Sequence, residues 1–309
     1  MTLFNELVDV EAGLELLADG FGFTEGPVWH EDGYLLFTDV ARDTIWTWSA
    51  GRAAQVWLTP THYANGMTRD PEGRLLSCEQ ATSVLSRYDG GRREVLASHY
   101  EGKELNSPND VVCRSDGIVY FTDPPAGREG PHGPTRQGTA QLGFHGVFLL
   151  RPGSSEPELL LDDMMVPNGL CFSPDERVLY VNDTLRMQIV ACDVDDDGSV
   201  RTPRVYFQQP GEPPDPVALV EELKRTGTVA RGLPDGMRCD ALGNVYCGGP
   251  GGVWVTDPEG TLLGVIPVPA FVGNLSWGDD DWRSLFLCAS GSLYRLRLNV
   301  EGAPPAYPR

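Results

Sequence analysis

The stretch Pro234-Asp235-Gly236-Met237-Arg238-Cys239-Asp240-Ala241-Leu242-Gly243-Asn244-Val245-Tyr246-Cys247 decides how the rest of the chain is read. A carboxylate before a glycine opens it, apolar residues alternate through Met237 and Cys239, and Leu242-Gly243-Asn244 supplies a turn before a second apolar strand. Two short strands about a Gly-containing turn make a β-hairpin.

Five other stretches are built alike, beginning at Glu25, Asn65, Asn109, Asn168 and Asn274. With Asp235 in its place, the starting positions are separated by 40, 44, 59, 67 and 39 residues. Most of the hairpins are followed by further short apolar strands, as at Thr44-Ile45-Trp46-Thr47-Trp48 and Ala54-Gln55-Val56-Trp57-Leu58. A period near 40–45 with four strands per unit is the signature of a propeller blade. The expected fold is all-β: a six-bladed β-propeller of four-stranded blades, forming a single domain over residues 1–309. A β-sandwich with coincidental spacing accommodates six matched hairpins poorly.

The last blade offers only three strands in sequence, whereas residues 13–18 form a strand with no hairpin before it. That N-terminal strand is expected to close the ring, leaving only short, protected sheet edges. Two spacings are too long, which marks insertions at about 124–145 and 208–233. The first is rich in Pro and Gly; the second carries apolar residues at 217, 219, 220 and 223 behind Pro216, the pattern of a short helix. Long loops of this kind are commonly binding loops.

Composition narrows the function classes. Lys and Arg number 24 against 44 Asp and Glu, a formal net charge of −20, which repels nucleic-acid phosphates and anionic membranes. Seven cysteines lie mostly within apolar strand patterns without a CxxC spacing, so they read as small hydrophobes. No window approaches the ~18 apolar residues of a membrane span, and the N-terminus lacks a basic segment followed by an apolar core. A cytoplasmic location is the expectation, with oligomeric state left open.

Each hairpin opens with an oxygen-bearing residue: Glu25, Asn65, Asn109, Asn168, Asp235, Asn274. The first strand of a propeller blade lines the central channel, so equivalent positions form a ring about the axis. Asn-Gly and Asp-Gly are ordinary turn chemistry, but a Glu at the same point, and six copies, favour a converging site. Carboxylate and amide oxygens without Cys or His select a hard divalent cation, with Ca2+ the first choice. Mg2+, Mn2+, Fe2+ and Zn2+ remain alternatives.

Glu25-Gly26-Pro27, Asn109-Asp110 after Ser107-Pro108, Thr122-Asp123-Pro124, Pro167-Asn168-Gly169-Leu170 and Pro234-Asp235-Gly236-Met237 together resemble the gluconolactonase/regucalcin (senescence marker protein) family. The resemblance runs from about Gly20 to Leu298. It is closer to the bacterial branch through Asn65-Gly66, Cys78-Glu79 and Phe121-Thr122-Asp123-Pro124-Pro125. It implies a six-bladed propeller with one catalytic divalent metal that hydrolyses a sugar lactone to the aldonic acid. By the same resemblance Glu25, Asn168 and Asp235 are metal ligands, Asn109 is a further ligand or a substrate contact, and Asp235 doubles as general base. The chain departs from the animal branch at Ser107, where an Arg is expected to grip substrate.

Further candidates for substrate contact are Asn65, Glu79, Asp123 and His62, with His132 and His145 beside the first insertion. Strand-end capping is the competing role for Glu79 and Asp123. Asp195-Asp196-Asp197-Gly198 lacks the Glu that completes a calcium loop and reads as a hairpin turn. Two other functions fit the same ring: a phosphotriester hydrolase, and a non-catalytic calcium-binding or carbohydrate-binding propeller.

Overall fold

Period-two alternation gives each hairpin an apolar face, and a lone hairpin cannot bury that face. Packing hairpin against hairpin around an axis is the solution adopted. The computed structural model describes residues 4–9, 13–129, 138–211, 215, 217–218, 221–222, 225 and 232–308, and it is the expected six-bladed propeller of four-stranded antiparallel sheets.

Blade one comprises Thr24–His30, Tyr34–Asp39, Thr44–Trp48 and Gln55–Leu58, and blade two Ala64–Arg69, Leu75–Glu79, Val84–Asp89 and Arg92–Ala97. Blade three comprises Val111–Cys113, Val119–Asp123, Gly146–Leu150 and Glu158–Leu161. Blade four comprises Pro167–Phe172, Val178–Asp183, Gln188–Val194 and Val200–Gln208. Blade five comprises Met237–Cys239, Val245–Gly249, Gly252–Thr256 and Leu262–Pro267. The opening stretch of sequence is therefore the inner hairpin of blade five, with Gly243 at φ +90° in its turn.

Blade six supplies Val272–Gly278, Ser284–Ala289 and Ser292–Arg297, and Glu15–Asp19 completes it by pairing antiparallel with Ser292–Arg297. The closing strand lies at 15–19, slightly beyond the expected 13–18. The first strand of every blade packs on that of the next, and the sixth packs on the first, so the ring closes. Inner strands such as Leu75–Glu79 are wholly buried while outermost ones such as Gln55–Leu58 face solvent. Aromatic residues fill the wedges between blades, as where Trp29 of blade one stacks on Phe286 of blade six at 5.2 Å.

All seven cysteines are free and buried. Asp195 to Ser199 form the expected hairpin turn. Val217, Ala218, Glu221, Glu222 and Arg225 are helical, and the rest of that expected helix lies outside the described residues. Among the described residues, no helix is long and apolar enough to cross a membrane.

Candidate active site

Two repeated devices set the inner rim of the propeller. The first holds the loop that enters a blade. The acid ending a second strand accepts two backbone N–H groups: Asp39 from Gly22 and Phe23, Asp123 from Asn106 and Ser107, Asp183 from Met165 and Val166. The second device ties each blade to the next. The residue before that acid donates to the carbonyl of the following ring residue: Thr38 to Asn65 O at 3.1 Å, Thr122 to Asn168 O at 2.8 Å, and Asn182 to Asp235 O. Cys288 Sγ makes the same contact to Glu25 O at 3.5 Å. The ring backbone is thus held by side chains of the neighbouring blade.

Glu25, Asn65, Asn109 and Asp235 are buried on this rim, and Asn168 is half-buried. The residue one step further in is glycine in four blades: Gly26, Gly66, Gly169 and Gly236. Close approach requires it, because a Cβ at Gly66 would collide with Asp110 and one at Gly236 with Asn274. Asp110 and Asn274 occupy that inner step in blades three and six, opposite one another across the axis. Each side-chain Oδ1 accepts the next backbone N–H, Val111 at 2.9 Å and Leu275 at 2.8 Å.

The electrostatics follow from this crowding. Burial, then the charge of Asp110, pushes Glu25 up to about 7, opposed by the Gly26 N–H, the Asn274 amide and the Arg238 guanidinium. Burial, then Glu25 and Asp110, raises Asp235 well above the carboxylate range, opposed by the Asn168 amide and the Gly236 N–H. Asp110 is raised by burial, with Arg238 pulling the other way. Repelling, desolvated carboxylates are a standing cost to the fold.

Other expected residues are placed elsewhere. Glu79 is buried among its own blade's outer strands. Its Oε1 accepts from Ser86, Tyr88 and Arg93, and its Oε2 from Thr82 and Arg93, at 2.5–3.0 Å. That full set leaves it in a supporting role in place of substrate contact. Asp123 caps the loop before Asn109, as above, and burial raises it to about 7. His62 holds a left-handed backbone (φ +62°) three residues before Asn65 and is half-buried. His145 Nδ1 is bonded to Met165 O between blades three and four; His132 lies outside the described residues. In blade six the ring position falls on Gly273, since Gly236 N–H bonds Gly273 O as Gly66 N–H bonds Asn109 O. Asn274 is therefore displaced one residue inward from the place its sequence neighbourhood suggested.

Ser107 anchors the first insertion instead of gripping substrate. Its Oγ donates to Pro124 O and accepts Gly127 N–H, both at 2.8 Å. Arg128, from the short helix Ala126–Glu129, donates to Asn106 O, Leu105 O, Glu104 Oε2 and Gly138 O. The described ends of the insertion are thereby stapled to the loop that leads into Asn109. Beyond Asp110 and Asn274 the channel ends in a cavity of about 100 Å³, bordered by first strands of all six blades, Arg238 and the segment Ala303–Tyr307.

The donor set suits a hard cation. It consists of oxygens, and beside it two buried oxygens of the same rim, Asn65 Oδ1 and Asp110 Oδ2, have no hydrogen-bond partner. Among the described residues no three His, Cys, Asp or Glu side chains gather as a metal cluster. The expected set contains only two of those types, Glu25 and Asp235; its other members are amides. Asp110 and Arg238 stand outside the expected set, and Asn274, expected on the ring itself, lies one residue further in. The signal in the sequence for Asp110 and Asn274 was a polar residue standing where sister blades carry glycine; Arg238 has no such signal, its counterparts being Val28, Thr68, Val112 and Cys171.

The SMP-30/gluconolactonase/LRE-like region, as a family description, matches residues 23–291. A gluconolactonase of Zymomonas mobilis is 30% identical, covering 96% of this chain and 84% of its own. A pentonolactonase of Haloferax volcanii is 25% identical, covering 91% and 92%. The solved structure of a Xanthomonas campestris gluconolactonase matches with a TM-score of 0.80 and 32% identity over 92% of this chain and 89% of that one.

Proposed function

The chain belongs to the SMP-30/gluconolactonase/LRE-like family, and from that premise we propose that it hydrolyses a sugar lactone to the aldonic acid at the axial ring. The observation that carries the reading is the meeting of Glu25 and Asp235, buried carboxylates on either side of Gly273, of which Glu25 raises the pKa of Asp235 while Asp110 raises that of Glu25. Charge set against charge in a concave site is costly unless a ligand or a reaction uses it.

Glu25, Asn168 and Asp235 are the residues assigned to hold one divalent cation, Ca2+ foremost, with Asn109 as a fourth ligand or a substrate contact. Such a cation, when bound, supplies Lewis-acid polarisation of the lactone carbonyl. Asp235 takes a proton from the attacking water as its oxygen adds to the carbonyl carbon, and the carbonyl oxygen becomes an oxyanion. Collapse breaks the bond from that carbon to the ring oxygen, which leaves with the proton held by Asp235. The product carboxylic acid then ionises to solvent. Asn65, with its unpartnered Oδ1, and Asn109 orient the sugar hydroxyls. Substrate choice is assigned to the two insertions, of which the first is stapled beside Asn109 by Arg128.

The test joins metal analysis of purified protein to a panel of glucono-, xylono- and arabinonolactones followed by a pH indicator. D235N is expected to lower kcat by roughly 10²–10⁴ with KM little changed. Full activity in EDTA-treated, metal-free protein overturns the cation assignment. Unchanged hydrolysis by D235N overturns the role of Asp235.

A further inference from the structure

Glu25 is held from beneath the ring. Its Oε2 accepts two hydrogen bonds, from Gly26 N–H at 2.7 Å and from Asn274 Nδ2 at 2.9 Å. Its Oε1 takes no hydrogen bond from a described residue and lies over Gly273, where a Cβ would stand 3.1 Å away. One carboxylate oxygen is therefore clamped and the other presented. Asn274 is itself rigid, being 1% exposed with Oδ1 fixed by Leu275 N–H.

The offset of blade six makes this geometry. A ring residue longer than glycine at 273 would press on Glu25, and a glycine at 274, as in four sister blades, would leave Oε2 with one donor. Side chains that orient a ligand residue tune a site almost as strongly as the ligands themselves. We propose that Asn274 is a positioning residue for Glu25, holding Oε2 so that Oε1 faces the ring centre. The proposal rests on the reading of Glu25 as a cation ligand.

Asn274 also satisfies Leu275 N–H, so a loss of stability alone would not separate positioning from structure. Cation affinity does. Ca2+ alone, and then Mn2+ alone, is titrated by calorimetry into full-length wild type and N274A, with metal-free melting and steady-state kinetics alongside. N274A is expected to bind the ion 10–100-fold more weakly, with KM for the lactone unchanged and kcat recovering at saturating ion. N274S, whose hydroxyl stops one bond short of the Nδ2 position, is expected to show the same loss and serves if N274A does not fold. An unchanged dissociation constant in a folded variant overturns the proposal while leaving lactone hydrolysis standing. Wild type that binds neither ion and opens no lactone overturns the functional reading, and the proposal with it.

Discussion

Replacing Glu25 by Gln should make the metal-free protein more stable, although it removes an assigned cation ligand. Burial and the charge of Asp110 hold Glu25 at about 7, above its ordinary 4.5. Between those values the unfolded chain has released its proton and the folded chain has not, so stability falls as pH rises and stays lower above about 7. The rise corresponds to about 3 kcal/mol at pH 8. The chain has 309 residues, and at roughly 2.1 cal/mol/K each the unfolding entropy is about 0.6 kcal/mol/K, so E25Q should melt about 5 °C higher. The amide oxygen can still accept from Gly26 N–H and Asn274 Nδ2. Asp123 titrates in the same window, but it does so in both proteins and cancels in the difference. The assay is calorimetric melting in EDTA at pH 8 and at pH 5, where the gain should fall to about a quarter. With Ca2+ at about 1,000 times its dissociation constant the order should reverse, since binding then adds ~4.1 kcal/mol to the protein that binds it. An E25Q protein that melts at or below wild type at pH 8 in EDTA would refute the account of Glu25 as an uncompensated buried charge.

Two further outcomes are expected. R93M leaves the Glu79 carboxylate buried with only hydroxyl donors and should destabilise by about 2 kcal/mol, Arg93 being partly exposed; KM for the lactone in the folded variant should not move, and a large KM change would return Glu79 to the site. G273A places a methyl 3.1 Å from Glu25 Oε1 on a backbone outside the left-handed region. It should weaken Ca2+ binding about 10-fold, as disturbance of a ligand's supporting contacts does, with melting nearly unchanged; equal affinity would show that Glu25 does not need that space.

What was legible in the sequence was whatever period and turn chemistry carry. Alternating apolar residues and Gly turns located every inner hairpin, and counting them gave the ring, its closure and the heads of the first strands. Less legible was anything that depends on a bulge. The strand Val272–Gly278 shifts register between Val272 and Asn274, which places Gly273 on the rim and Asn274 beneath it; Asn274-Leu275 alone looks like a sixth ring head. Nor does alternation reveal which way a strand-ending acid turns. Glu79 is drawn outward by Arg93, fourteen residues along, and Asp123 backward by the N–H groups of Asn106 and Ser107. Those partners are set by loop paths, which carry no period.

Buried acids of this propeller fall into two kinds, and the division separates structure from chemistry. Asp39, Asp123, Asp183 and Glu79 spend both oxygens on protein donors. Each is fully employed, so a ligand could engage it only by breaking bonds that hold a loop or a strand. Glu25 and Asp110 each keep an oxygen without a hydrogen bond from a described residue, and Asp235 is raised by both of them. Unmet acceptors are rare in folded proteins because each costs on the order of 1–3 kcal/mol. Here they share one axis with an unpartnered Asn65 oxygen, where four glycines clear the space. Unmet capacity gathered in one place persists when something outside the chain meets it. A residue's unspent hydrogen-bonding capacity, more than its acidity or burial, is therefore what distinguishes Glu25 and Asp110 from Asp123, though all three are buried acids with raised pKa values.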